Sequence, residues 1–143
     1  MREAVIPREE LVRLLAAEFP QGFGPGSGLA VLEVWHRGCL LRQDFLPDSL
    51  RPGGTIAGPT MMMLADVAMY VTLMGSIGWV PLVVTTSLNI NFLKKPDPGP
   101  LEAAYRILKL GKRLAVGEVS IRPEGEEELV AHAATTYSIP LRD

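Results

Sequence analysis

The sequence predicts a single α+β domain in which one antiparallel sheet covers one long apolar helix. Residues 56–84 are almost uninterrupted apolar sequence, which is typical of a helix that is buried on all sides. Most of the remaining chain divides into strand-like runs separated by short turn sequences, and short connections pair neighbouring strands antiparallel. A chain of 143 residues is long enough for one such core and too short for two. We therefore expect one domain over residues 1–143.

The elements follow in the order helix, two strands, long helix and four strands. Residues 7–18 predict a short amphipathic helix, because Pro7 suits its first turn and leucines recur on one side. Alternation is clearest within 82–93, where Leu88, Ile90 and Phe92 share a face, and we expect this strand to be central in the sheet. A tight turn is expected at Arg37-Gly38. The predicted strands are residues 29–35, 40–45, 82–93, 101–110, 113–122 and 128–139.

Composition and charge exclude several classes of protein. A net charge of −2 and a pI near 5.7 do not fit a nucleic-acid binder, and 48% apolar residues do not fit a disordered chain. Cys39 is a single cysteine, and only His36 and His132 could join it, so we expect no disulfide and no metal site. Residues 1–7 lack the apolar segment of a secretory signal. We therefore expect a cytoplasmic protein.

The apolar segment could also be considered as a membrane span, since about 20 residues suffice to cross a bilayer. Asp66 lies inside its best helical portion, and Pro59 and Pro81 lie near its two ends. A central aspartate opposes insertion by roughly 2.5–3.5 kcal/mol. The sequence therefore favours a core helix of a soluble protein.

Asp66 is the most informative residue of the sequence. On a helix its neighbours are Met62, Met63, Met69 and Tyr70, and a carboxylate in such surroundings is costly unless it is paired or functional. One interpretation is a satisfied core aspartate bonded to Tyr70 or to a strand amide. The other is a general base or nucleophile whose pKa is shifted by its apolar surroundings.

The start of the same helix offers a second feature. Gly58 suits the cap, Pro59 suits the first helical position, and free N–H groups there form an electrophilic site for a carbonyl oxygen. Gly58 and Asp66 are about 12 Å apart along a straight helix, too far to act on one carbonyl. A two-fold dimer could bring Asp66 of one subunit to Gly58 of the other, in which case a monomer would be inactive.

The chain resembles the hotdog-fold acyl-CoA thioesterases, specifically the phenylacetate-degradation-type branch, in residues 58–69, 87–93 and 110–115. The resemblance implies a curved sheet around the central helix, Asp66 as base or nucleophile, and Gly58 as the amide that polarises the thioester carbonyl across a subunit interface. It also implies an acyl-CoA substrate, a homodimer or dimer of dimers, and no cofactor. The chain departs from the family's His-Gly-Gly motif at Ala57 and Pro59, and Arg51 stands where asparagine is frequent.

Further residues are predicted to bind the substrate. Met62 and Met63 offer adaptable apolar surface for an acyl group, although plain core filling is the alternative for the methionines. The other predicted substrate-binding residues are Arg51, Thr86, Asn91, Lys109, Lys112 and Arg113. The resemblance favours the last three over Lys94-Lys95 as contacts of the coenzyme A nucleotide, while a solvated charged turn remains the alternative. Thr85, Thr86, Asn89 and Asn91 lie on the strand that we expect to be central; some of them are expected to face the site, and others to alternate outward. Tyr137, His36, His132 and Cys39 are expected to be structural or surface residues.

Two other functions compete with a thioesterase. The departures from His-Gly-Gly favour a non-catalytic acyl-CoA binding or sensing protein, whereas Asp66 opposes it. A hotdog dehydratase or hydratase would place a histidine beside its acid, and neither His36 nor His132 lies in the helix region.

Overall fold

The structure, a computed structural model, describes residues 2–141. A short 3-10 helix (Pro47–Ser49) precedes the long helix. The other elements in chain order are α1 (Arg8–Glu18), α2 (Pro20–Phe23), β1 (Leu29–Trp35), β2 (Gly38–Gln43), α3 (Gly58–Ile77), β3 (Val84–Phe92), β4 (Leu101–Leu110), β5 (Leu114–Pro123) and β6 (Ala131–Ser138). This order confirms the predicted α+β hotdog fold, in which the antiparallel sheet curves around α3 and a short helix precedes the first strand.

The six strands form one antiparallel sheet in the order β1-β2-β4-β5-β6-β3. The four strands β2, β4, β5 and β6 each have two neighbours, and β1 and β3 are the edges. The expectation that the strand after the helix is central is therefore wrong. Since α3 crosses the sheet between β2 and β3, the chain re-enters on the far side, and β3 pairs only with the last strand, β6.

Helix α3 lies in the core and contacts all six strands. By its length and composition, α3 could cross a membrane. In the structure, 67% of its most apolar 18-residue segment is buried inside the domain. Burying so much apolar surface is the main favourable contribution to folding. The helix is therefore a core element, as the sequence predicts.

The turn between β1 and β2 differs from the prediction by one residue. The turn is His36-Arg37, with Arg37 at a positive φ of 79°, and Gly38 is already the first residue of β2. The glycine is needed because the Trp35 indole lies against it, and a Cβ at Gly38 would be 2.3 Å from the indole nitrogen. The Arg37 amide donates to the Ser76 hydroxyl at 2.8 Å, which attaches this hairpin to the end of α3.

Candidate active site

The carboxylate of Asp66 is half-buried on α3 and accepts two hydrogen bonds at the same oxygen. The Thr85 hydroxyl donates to Asp66 Oδ1 at 2.6 Å, and the Tyr137 hydroxyl lies 2.9 Å from the same atom. Tyr137 is also 2.9 Å from the Asp66 main-chain carbonyl. Within residues 2–141, Oδ2 has no hydrogen-bond partner. The site thus fixes one carboxylate oxygen and leaves the other available to a water molecule or a substrate.

The two donors reach Asp66 from neighbouring strands. Thr85 on β3 pairs directly with Tyr137 on β6, so that both side chains approach the helix from the sheet. Burial raises the pKa of the Tyr137 phenol, and the hydroxyl therefore stays protonated and can donate. Tyr137 was expected to be a structural or surface residue; it is buried, and its contact with Asp66 was not identified from the sequence. No local pattern reveals this contact, because it depends on the register between two strands about fifty residues apart in the chain.

The expected partner of Asp66, Tyr70, bonds elsewhere. Its hydroxyl donates to the Pro81 carbonyl at 3.4 Å, and its ring packs edge-on against Phe19 with ring centroids 5.5 Å apart. The interpretation in which Tyr70 satisfies Asp66 is therefore wrong. Met69, another predicted neighbour, points into the core, where its sulfur accepts from the hydroxyls of Tyr105 and Thr135.

Gly58 is the first residue of α3 and lines a groove of about 580 Å³. The N-cap is Ala57, whereas Gly58 itself was expected to be the cap. The first N–H groups of a helix have no acceptor within the helix, and the helix dipole adds positive potential there. The Phe92 ring lies so close that a Cβ at Gly58 would be 3.1 Å from it. The Gly58 amide is thus at the wall of an open groove.

Asp66 and Gly58 lie at opposite ends of β3. Asp66 contacts Thr85 near the start of the strand, whereas Gly58 faces Phe92 at its end. The seven residues from Thr85 to Phe92 span about 23 Å, and the helical separation of about 12 Å keeps the two groups apart within one chain. One chain alone does not bring the carboxylate and the amide to the same carbonyl.

The other predicted substrate-binding residues lie at several places. Met62 and Met63 are exposed on α3, at 42% and 41%, on the side that is free of the sheet. The Thr86 hydroxyl donates to the Thr136 carbonyl, so it is Thr85 and not Thr86 that contacts Asp66. Asn91 is exposed and directly precedes Phe92, the last residue of β3.

The basic residues form two separate groups. Lys109, Lys112 and Arg113 surround the β4–β5 turn, where the Arg113 guanidinium donates to the Ile139 carbonyl at 3.2 Å. Lys94 and Lys95 follow β3 and line the groove beside Gly58, together with Arg51. The structure therefore places Arg51 in the same groove as Gly58, and it places the favoured nucleotide contacts outside that groove.

Cys39 and His132, which were expected to be structural or surface residues, have ordinary partners. Cys39 is buried and donates to the Ala68 carbonyl, and burial raises the pKa of its thiol to about 12. His132 contacts Glu118 at 2.8 Å. Burial lowers the pKa of His36.

A curved antiparallel sheet around a central helix, with a carboxylate on that helix, defines a hotdog domain with a candidate hydrolytic site. The family model of the thioesterase superfamily matches residues 53–130, more than half of the chain. The chain therefore belongs to the thioesterase superfamily.

Three solved structures resemble the chain over most of its length. A candidate thioesterase from Silicibacter sp. TM1040 is 37% identical, with a TM-score of 0.87 over 97% of this chain and 95% of that chain. Zebrafish thioesterase superfamily member 2 is 20% identical, with a TM-score of 0.81 over 94% and 99% of the two chains. A mutant of the phenylacetic acid degradation protein PaaI from Thermus thermophilus is 24% identical, with a TM-score of 0.69 over 79% and 94%. The last two similarities show a shared fold. A comparison with curated proteins gives no match.

Proposed function

We propose that this protein hydrolyses the thioester of an acyl- or aryl-acyl-CoA to a free acid and coenzyme A, and that it belongs to the phenylacetate-degradation-type branch. The observation that carries the proposal is the Asp66 carboxylate, with Oδ1 held by Thr85 and Tyr137 and Oδ2 free of partners within residues 2–141. A carboxylate with one fixed oxygen and one available oxygen is suited to general-base or nucleophilic chemistry. We place the reaction in the cytoplasm.

In the general-base form of the reaction, Asp66 accepts a proton from a water molecule that attacks the thioester carbon. The carbonyl oxygen becomes negative and accepts a hydrogen bond from the Gly58 amide, which contributes about 3 kcal/mol to stabilising the transition state. The carbon–sulfur bond then breaks, and the proton held by Asp66 passes to the leaving sulfur. In the nucleophilic form, Asp66 attacks the carbon itself, the carbon–sulfur bond breaks and coenzyme A leaves as its thiolate. Water then hydrolyses the resulting anhydride, which releases the free acid and restores the Asp66 carboxylate, while a proton passes to the thiolate.

The active unit in this proposal is a homodimer in which Asp66 and Gly58 come from different subunits. Edge strand β3 presents unpaired backbone groups, and such an edge is a template for pairing with another chain. Both ends of β3 have exposed apolar side chains, since Val84 is 57% and Phe92 is 50% exposed. A two-fold axis between Leu88 and Asn89 would pair the strands antiparallel and place Thr85 opposite the second copy's Phe92. Asp66 of one copy would then lie beside Gly58 of the other, and two dimers could associate further.

The proposal is tested by measuring coenzyme A release with a thiol reagent over a panel of aryl and straight-chain acyl-CoAs. Because the Cys39 thiol is buried and its pKa is raised to about 12, the protein itself contributes no signal. We expect Asp66→Asn to lower kcat by at least about a hundredfold, as losses of essential acid–base groups do. Asp48→Asn, an exposed carboxylate on the 3-10 helix, is the matched control and should retain wild-type activity.

The result that contradicts the proposal is the absence of turnover on the whole panel. If coenzyme A thioesters nevertheless bind saturably, the non-catalytic binding protein replaces the thioesterase as the best interpretation. Equal activity of Asp66→Asn and the wild type would instead remove Asp66 from the mechanism.

A further inference from the structure

The groove beside Gly58 combines basic side chains with an apolar lining. Arg51, Lys94 and Lys95 are the charged residues that line it, and no acidic residue among those described does. The remaining lining residues are Ile56, Gly58, Met61, Phe92, Leu93 and Pro96. Such a lining is suited to a ligand with a phosphate at one end and a neutral arm along the apolar side chains.

The backbone fixes the two walls of this groove relative to each other. The Ile56 amide donates to the Pro96 carbonyl at 3.0 Å, and the Arg51 amide donates to the Thr55 carbonyl at 2.8 Å. Pro96 is buried. The loop that carries Arg51 and the segment that carries Lys95 are therefore attached to each other, and their side chains lie at the same rim.

The three cations of the groove are not equivalent. Lys94 forms an ion pair with Glu128 at 3.3 Å. Over the described residues 2–141, neither Arg51 nor Lys95 has an ion-pair partner. Arg51 and Lys95 are thus the two cations whose charge is available for an added anion.

A second groove on the far side of Lys94 and Lys95 has the opposite character. Its lining includes four carboxylates, those of Asp97, Glu124, Glu126 and Glu128. A phosphate is repelled from that side and attracted to the side that contains Gly58. The charge distribution thus directs an anionic ligand into the groove where the Gly58 amide is available.

The basic turn that the sequence favoured for the nucleotide lies elsewhere. Leu114, directly after that turn, pairs with Ser138, which in turn pairs with Val84 at the start of β3. The turn is therefore at the Thr85 end of the sheet, away from Gly58 of the same chain. In the proposed dimer that end faces Gly58 of the second copy, so the test below compares the two basic groups directly. Its Arg113 already donates to the Ile139 carbonyl.

We infer that Arg51 and Lys95 bind the phosphate groups of the coenzyme A moiety, and that the pantetheine arm follows the apolar lining of the groove to the Gly58 amide. This inference rests on the proposed function and specifies where its substrate binds. The guanidinium of Arg51 presents paired donors to a phosphate, and Lys95 adds a point charge. The phosphates are therefore bound by the same subunit that supplies the amide.

The test measures the Kd of free coenzyme A and of free pantetheine, which lacks the phosphates, by titration calorimetry on the full chain. The double variant R51Q/K95Q should bind coenzyme A about fivefold to twentyfold more weakly than the wild type, as expected for two exposed charge contacts. Its affinity for pantetheine should change by less than about twofold, because no charge contact is lost. Arg13→Gln, an exposed cation on α1, is the control for the loss of a positive charge remote from the groove, and it should bind coenzyme A like the wild type.

The inference is overturned if R51Q/K95Q binds coenzyme A as tightly as the wild type, or if K109Q/K112Q shows the larger loss. Because binding is measured without turnover, the result is independent of the proposed hydrolysis. A chain that binds coenzyme A through Arg51 and Lys95 but hydrolyses no thioester would retain this inference and contradict the proposed function. A salt titration adds a second readout, since the wild type should lose more affinity at high ionic strength than R51Q/K95Q.

Discussion

Asp66 shows at the scale of one residue how the fold prepares a carboxylate for chemistry. Thr85 and Tyr137 both hold Oδ1, so the orientation of the carboxylate depends on two strands and not on the helix alone. The hydroxyl of Tyr137 also contacts the Asp66 carbonyl, which fixes the aspartate through its backbone. Tyr137 is therefore a positioning residue for Asp66 in the proposed reaction.

Replacing Tyr137 by Phe should lower kcat about tenfold and leave KM nearly unchanged, because a hydrogen bond to a charged group is worth about 1.5–3 kcal/mol. The measurement is steady-state kinetics, with urea unfolding of the same variant. Tyr105→Phe is the matched control, since its buried hydroxyl contacts Thr135 and Met69 and not Asp66. Tyr137→Phe should lose about 1.5–3 kcal/mol of folding stability and Tyr105→Phe about 0.5–1.5 kcal/mol, but only Tyr137→Phe should lose kcat. An equal loss of kcat in both would mean that Tyr137 acts through stability alone.

The sequence identified Asp66 and placed Thr85 among four strand residues of which some were expected to face the site. It did not identify Tyr137 or the strand pairing that brings both side chains to Asp66, for a physical reason. A carboxylate among methionines is unusual in the linear sequence, because burying a charge is costly. Thr85 and Tyr137 are ordinary strand residues, and only the pairing of β3 with β6 makes them neighbours. Strand register depends on packing across the whole sheet, so local alternation could not have predicted it.

At the scale of elements, α3 contains both groups of the proposed site, one in its first turn and one in its middle. The proline in the first turn and the extended conformation of Ala57, with φ −71° and ψ 148°, begin the helix at Gly58. A proline introduced at position 58 requires an extended residue before it, and Ala57 already has that conformation. The amide of Gly58 can therefore be removed by substitution without changing the course of the chain.

Gly58→Pro should lower kcat by about a hundredfold to a thousandfold, because it removes the N–H that we propose as the oxyanion donor. Proline is tolerated at the first helical position, so the fold should be retained, as checked by circular dichroism. Gly58→Ala keeps the N–H and adds only a Cβ against Phe92, and it should lose clearly less activity. If both variants lose activity equally, the crowding of the groove and not the amide explains the effect.

The elements themselves were largely predictable, whereas their arrangement was predictable only in part. The apolar run of residues 56–84 contained α3 (Gly58–Ile77), and the predicted strands 29–35 and 101–110 coincide with β1 and β4. Alternation in β3 suggested a central strand, yet β3 is an edge whose residues are mostly exposed. Alternation of apolar and polar residues indicates that the two faces of a strand have different surroundings. It does not indicate how many neighbouring strands are paired with it.

At the scale of the whole molecule, the exposed edge and the separation of the two groups of the proposed site have one common explanation. Leu82 at 76%, Val84 and Phe92 are exposed apolar residues along or beside β3, and a second copy would cover them. The same pairing would bring Asp66 to the opposite Gly58. The intersubunit site proposed above therefore accounts both for an aggregation-prone edge and for an amide and a carboxylate that cannot cooperate within one chain.

Mixing two inactive variants tests this arrangement directly. If Asp66→Asn and Gly58→Pro are combined at equal concentration and their subunits exchange, half of the dimers should be mixed. Each mixed dimer has one site with both substitutions and one site with neither, so activity should recover to about a quarter of the wild-type value. A site contained in one chain gives no recovery, because every chain then lacks either the carboxylate or the amide. Mixing each variant with itself is the control, and sedimentation of the wild type should show a dimer or a larger assembly and no active monomer.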